Sequence, residues 1–120
     1  MHALLVEDEA LLRMMLFGFL SDFGFEVEQA ASADAAWKMV EDGLDFDLLV
    51  TDVRMPGKMD GIELAERVKD KRSDAAIVIM SGYAGTGRTP VEKFSNFLAK
   101  PFTEANLLTL IQRLMPFRTT

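Results

Sequence analysis

Cysteine is absent from the 120 residues, and histidine occurs once, as His2. Disulfides, thiolate nucleophiles and zinc ribbons are therefore excluded, and a lone histidine builds no histidine-based metal site, so any metal must be held by oxygen. Basic residues are scarce relative to acidic ones, 13 against 19, for a formal net charge of -6. That balance disfavours a nucleic-acid binder, because such affinity comes largely from clustered Lys and Arg neutralising phosphates. Long apolar runs are also missing: charges interrupt every one well short of the roughly 18 residues that a membrane span needs. The start, MHALLVEDE, lacks the cationic opening of a signal peptide. A soluble, cytoplasmic protein is expected. With no repeat and no low-complexity linker, a single domain over 1–120 is expected, a length at which one core buries roughly two thirds of the unfolded surface.

What the sequence does contain is a recurring switch of period. Ala3 to Val6, Leu48 to Thr51 and Ala76 to Met80 are short apolar runs followed by acidic or small polar residues, which suits strands buried on both faces of a parallel sheet. Asn96 to Ala99 reads as a shorter strand, and the more alternating Glu26 to Ala31 as an edge strand. Between them lie helical periods: Glu9 to Phe23 before Gly24, Ser32 to Glu41 before Gly43, Ile62 to Asp70, and Thr103 to Leu114 before Pro116. Ser32 and Thr103 are expected N-caps. Strands alternating with helices predict right-handed crossovers and a doubly wound α/β sheet. The stretch SGYAGTGRTPVEKFS breaks the alternation, since its glycines and Pro90 leave only about Pro90 to Phe94 free to be helical. A loop or a single turn is expected over Gly85 to Phe94.

Ligands of an open parallel sheet gather beyond the carboxyl ends of its strands, where strand order reverses. The polar residues fall there: Glu7 and Asp8 after the first strand, Asp52 after the third, Ser81 after the fourth and Lys100 after the fifth. Crowded carboxylates raise one another's pKa and need a proton or a cation among them. Hard oxygen ligands of this kind suit Mg²⁺, which is commonly held by one or two carboxylates together with a phosphate.

Taken together, VEDE, LLVTDVRMPGKMDG, IVIMSGY and FLAKPF resemble the receiver domains of two-component response regulators, over nearly the whole chain and in the right order. The resemblance implies a flavodoxin-like five-stranded sheet of order 2-1-3-4-5, with the helix between the fourth and fifth strands short or irregular here. It implies a phosphoacceptor that assists its own phosphorylation and dephosphorylation, rather than an enzyme. By the same resemblance Asp52 is the phosphoacceptor. Glu7, Asp8, Asp52 and the backbone carbonyl of Arg54 hold Mg²⁺ or Mn²⁺, and the donor is a histidine kinase or histidine phosphotransfer protein.

Chemistry supports the same roles. A carboxylate attacking phosphorus approaches an anionic group, so positive charge from Mg²⁺ and Lys100 has to offset the repulsion. The Ser81 hydroxyl has a phosphoryl oxygen to bond in only one of the two states, which makes it a sensor candidate. Phe97 stands where the family carries a switching aromatic, and Tyr83 is a further switch candidate near the site mouth. The Lys100–Pro101 bond is typically cis in the family, making Pro101 a cis-peptide candidate. On the first helix Leu12, Leu16, Phe19, Leu20 and Phe23 already supply a core stripe. Leu11, Met14, Met15 and Phe17 add apolar surface elsewhere and are candidates for docking the donor. Trp37 is read as a packing residue and His2 as a terminal residue near the sheet edge.

The tract MPGKMDG carries one residue more than the family's shorter MPxMDG form, and the extra length is expected to be absorbed at the surface around Gly57 and Lys58. No DNA-binding or enzymatic output domain fits after the last helix. The chain is either a stand-alone receiver or a piece of a longer protein such as a hybrid kinase, and Met1 favours the former. Three alternatives compete. A small aspartate-dependent phosphatase would need a second aspartate two residues beyond Asp52, which VTDVR lacks. A flavodoxin-type binding module would need Gly, Ser and Thr where Glu7 and Asp8 stand. A pseudo-receiver that only docks partners is disfavoured by the complete acidic set.

Overall fold

The computed structural model describes residues 1–82 and 96–116. Five parallel strands, β1 (His2–Val6), β2 (Glu26–Ala30), β3 (Leu48–Asp52), β4 (Ala76–Ser81) and β5 (Phe97–Ala99), form one sheet in the order β2-β1-β3-β4-β5. Among the described residues four helices accompany them: α1 (Ala10–Asp22), α2 (Ala33–Glu41), α3 (Gly61–Lys71) and α4 (Glu104–Leu114). The flavodoxin-like order expected from the sequence is the one observed. The loop expected over Gly85 to Phe94 lies outside the described residues.

Side chains of successive strand residues point to opposite faces, and this divides the core in two. Leu4, Val6, Leu49, Ile77 and Ile79 pack with Ala36 and Val40 of α2 and with Ile62, Leu64, Ala65 and Val68 of α3. Ala3, Leu5, Leu48, Val50, Val78 and Met80 pack with Leu16 and Leu20 of α1 and with Leu107, Leu110 and Ile111 of α4. Central strands thus need apolar residues at consecutive positions. β2, at the edge, exposes Glu26, Glu28 and Gln29. Trp37 packs on the α2 and α3 side, with the Arg67 guanidinium 5.5 Å from its ring centre. His2 sits at the start of β1 with its Nε2 3.1 Å from the Glu26 carboxylate.

Three helices start on side-chain caps. Ser32 Oγ accepts the Ala35 N–H at 3.1 Å, and Asp60 Oδ1 accepts the Glu63 N–H at 2.9 Å. Thr103 and Asn106 cap each other reciprocally, each side-chain oxygen accepting the other's backbone N–H at 3.0 Å. No helix among the described residues is long and apolar enough to cross a membrane.

Register positions the polar residues. Val6 lies opposite Thr51 on the neighbouring strand, so the residues that follow, Glu7 and Asp52, leave the sheet at the same level. Ser81 lies opposite Ala99, and Lys100 follows at once. The junction of β1 with β3 is where strand order reverses, which makes it the expected ligand crevice.

Candidate functional site

At the carboxyl end of the sheet, Glu7, Asp8 and Asp52 each present a carboxylate oxygen within 4.8 Å of the others. Glu7 is only 1% exposed, Asp52 is half-buried and Asp8 is exposed. Lys100 comes in from β5: its Nζ donates to Asp52 Oδ2 at 2.9 Å and to Glu7 Oε1 at 3.4 Å. One ammonium thus bridges two of the three carboxylates. The Lys100–Pro101 peptide bond is cis, and the Lys100 N–H donates to the Ser81 carbonyl at 2.8 Å, tying the ends of β4 and β5 together. Ser81 is buried at the end of β4.

Electrostatics follow from this crowding. Burial pushes the Glu7 carboxyl up to about 7; an N–H from Glu9 at 3.0 Å works against the rise, the Asp52 charge adds to it, Lys100 opposes it and a hydrogen bond with Asp8 adds again. For Lys100, burial works to lower the pKa, but the hydrogen bond and charge of Asp52 and then Glu7 outweigh it, so the ammonium is held above its ordinary value. The donors are all oxygen, they converge, and one of them is held toward its protonated form, chiefly by burial and in part by the neighbouring Asp52 charge. This arrangement fits a hard divalent cation.

Several residues that sequence reasoning did not single out hold the site. Thr51, fully buried, donates its hydroxyl to the Asp52 carbonyl at 2.9 Å, and the Val53 N–H donates to Asp52 Oδ1 at 2.7 Å. Arg13 reaches from α1 to the Glu7 carbonyl at 2.8 Å. Gly61 opens α3 so close to β3 that an added Cβ would overlap the Asp52 carbonyl oxygen and crowd Thr51 Oγ1. The expected outcome of Gly61→Ala is a loss of about 1–3 kcal/mol of stability, the usual range for forcing atoms into packed space, measured by denaturant unfolding. The aspartate-glycine pair ahead of an apolar period was the available signal for this helix start.

The remaining candidates fall as follows. Arg54 is exposed two residues beyond Asp52, and Pro101 is exposed beside Lys100. Phe97, half-buried, lies opposite Ile79 and packs against the core on the α2 and α3 side. Tyr83 lies outside the described residues. On α1, Leu16 and Leu20 are buried and Leu12, Phe19 and Phe23 pack partly against the core. Leu11, Met14, Met15 and Phe17 are exposed by 74, 63, 42 and 37%. A groove of about 450 Å³, lined by Leu12, Met15, Gly82, Lys100, Pro101 and Phe102, joins this helix to the lysine.

The family model of the response regulator receiver domain matches residues 3–112. The transcriptional regulatory protein FixJ of Bradyrhizobium diazoefficiens is 37% identical over 115 residues, 92% of this chain and 55% of FixJ. The response regulator receiver protein CpdR of Brucella abortus is 31% identical over 115 residues, 93% of this chain and 94% of CpdR. Among solved structures, the response regulator protein TrrA of Thermotoga maritima, in complex with Mg(2+)-BeF, aligns with a TM-score of 0.83 at 27% identity, covering 94% of this chain and 97% of that one. The chain spans about half the length of FixJ and smaller shares of other curated relatives.

Proposed function

The chain belongs to the response regulator receiver domain family, and from that premise we propose that it accepts a phosphoryl group on Asp52 from a phosphohistidine donor and changes partner binding as a result. The observation that carries this is the contact of Lys100 Nζ with both Asp52 and Glu7 within the acidic triad. Glu7, Asp8, Asp52 and the Arg54 carbonyl would hold Mg²⁺ or Mn²⁺. The ion, when bound, would neutralise charge on the phosphoryl oxygens. The Mg(2+)-BeF held by TrrA supports that assignment.

An Asp52 oxygen attacks phosphorus as the phosphorus–nitrogen bond of the donor breaks, and the donor imidazole leaves with the bonding pair. Lys100, protonated at neutral pH, exchanges its bond to Asp52 for one to a phosphoryl oxygen. Ser81 donates its hydroxyl to another oxygen of the same group. Phe97 and Tyr83 would respond to that movement of Ser81. The decisive experiment is to incubate the chain with acetyl phosphate and Mg²⁺ and weigh it intact. The mass of one phosphoryl group should be gained, and chelation with EDTA should prevent it. No gain under these conditions would sink the proposal.

The donor's docking face is α1. Leu11, Met14, Met15 and Phe17 offer adaptable apolar contacts beside the groove that reaches Lys100. Met14→Glu should slow transfer from a phosphorylated histidine protein by about tenfold, since burying one unpaired charge at an interface readily costs the 1.4 kcal/mol this represents. Its labelling by acetyl phosphate should not change. Equal slowing with both donors would mean that α1 is not the docking face.

A further inference from the structure

The loop from β3 to α3 begins one residue after Asp52 and is fastened at both ends. The Val53 N–H is held by Asp52 Oδ1, and the Gly61 N–H donates back to the Val53 carbonyl at 2.8 Å. Met55 and Met59 turn toward the core, while Arg54, Pro56, Gly57 and Lys58 are exposed. At the apex Gly57 has φ of 105°, a region that residues with side chains rarely enter. Asp34, in the first turn of α2 and 24 residues away in sequence, meets the loop there. Its Oδ2 accepts the Lys58 N–H at 3.0 Å, and a Cβ on Gly57 would overlap that same oxygen. Gly57 is thus required twice over, by its φ and by the approach of Asp34.

We propose that Asp34 is a positioning residue for the phosphoacceptor site: by holding Gly57 and Lys58 against α2, it fixes the course of the loop that carries the Arg54 carbonyl and so sets the affinity for the divalent cation. The inference rests on the assignment of Arg54 as a backbone ligand given above. An exposed stretch that is not held has to be ordered when the cation binds, and the lost chain entropy weakens binding. The extra residue in this loop lengthens the stretch needing restraint, and Asp34 supplies the restraint from a helix that is itself packed on the sheet.

The test is a calorimetric Mg²⁺ titration of the full chain, with thermal melting alongside. Asp34→Ala should weaken Mg²⁺ binding by about tenfold, the low end for groups that orient a metal's ligands, and should speed amide exchange at Lys58 in metal-free protein. Asp34→Asn keeps an oxygen acceptor for the Lys58 N–H and should bind close to wild type. Ser32→Ala removes the cap of the same helix without touching the loop, so it should lower Tm and leave Mg²⁺ affinity unchanged. Wild-type affinity in Asp34→Ala, or unaltered exchange at Lys58, would overturn the positioning role. So would equal weakening by Ser32→Ala, which would mark general loosening of α2. A wild-type chain that binds no Mg²⁺ would instead defeat the metal assignment, and this inference with it.

Discussion

Asp52→Asn protein incubated with Mg²⁺ and acetyl phosphate should gain no mass under conditions where the wild-type chain takes up one phosphoryl group. The substitution changes little in shape. An asparagine oxygen can still accept the Val53 N–H that Asp52 Oδ1 accepts at 2.7 Å, and the Thr51 hydroxyl still meets the backbone carbonyl at 2.9 Å. What disappears is the anionic oxygen proposed to attack phosphorus, together with the charge that draws Lys100 Nζ to 2.9 Å. Neighbouring carboxylates are poorly suited to substitute. Glu7 is buried, with one oxygen bonded by the Glu9 N–H and the other by Lys100. Asp8 is exposed, and its hydrogen bond goes to the Glu7 carboxyl rather than to the backbone N–H that aligns Asp52. The loss of labelling should therefore be complete rather than partial. A phosphoryl group retained by the variant, located on Asp8 by peptide mapping, would transfer the acceptor role to that residue.

Much of this arrangement is legible in the amino acids, and the reasons differ from element to element. Central strands were readable because a parallel sheet covered on both faces demands consecutive apolar residues; Leu48 to Thr51 is entirely buried, as the pattern predicts. Ser32 and Thr103 announced their helices, since a hydroxyl ahead of a helical period has a nearby N–H to accept. α3 starts at Gly61, one residue before the apolar period at Ile62; the Asp60 cap is visible in the sequence, but the fit of Gly61 beneath the Asp52 carbonyl is a close approach created only by folding. At the site, the residues directly after strands were visible because register brings strand ends level. The supporting contacts of Thr51, Arg13 and Asp34 were not, because each joins groups whose proximity depends on how a loop or helix packs. The apolar excess of α1 was countable in the sequence, but which residues it leaves outside was settled by the packing of Leu16 and Leu20.

The second large effect is a coupling of pH, metal and stability through Glu7. Its carboxyl rises from 4.5 to about 7 on folding, chiefly because it is buried. Between these values the unfolded chain has released a proton that the folded chain keeps, so stability falls as pH rises across the window and levels off above it. The shift corresponds to about 3 kcal/mol, which for a domain of this size is about 10 °C in Tm. Lys100, held above its ordinary value, contributes stability that is lost only in the alkaline range, and Asp45, held below its own by the hydrogen bond from Arg72, acts only on the acid side. A divalent cation bound by the triad would take the place of the proton on Glu7, so its stabilisation should grow with pH through about 7 and its binding should release a proton. Melting in EDTA from about pH 5 to about pH 8 should therefore show a falling Tm that Mg²⁺ largely restores at the upper end. Glu7→Gln, which has no proton to lose, should melt at a nearly constant Tm across the same range and gain little from Mg²⁺. A wild-type Tm that stays level in EDTA would show that folding raises no carboxyl across this window, and a decline of equal slope in Glu7→Gln would show that the proton is held by some other group.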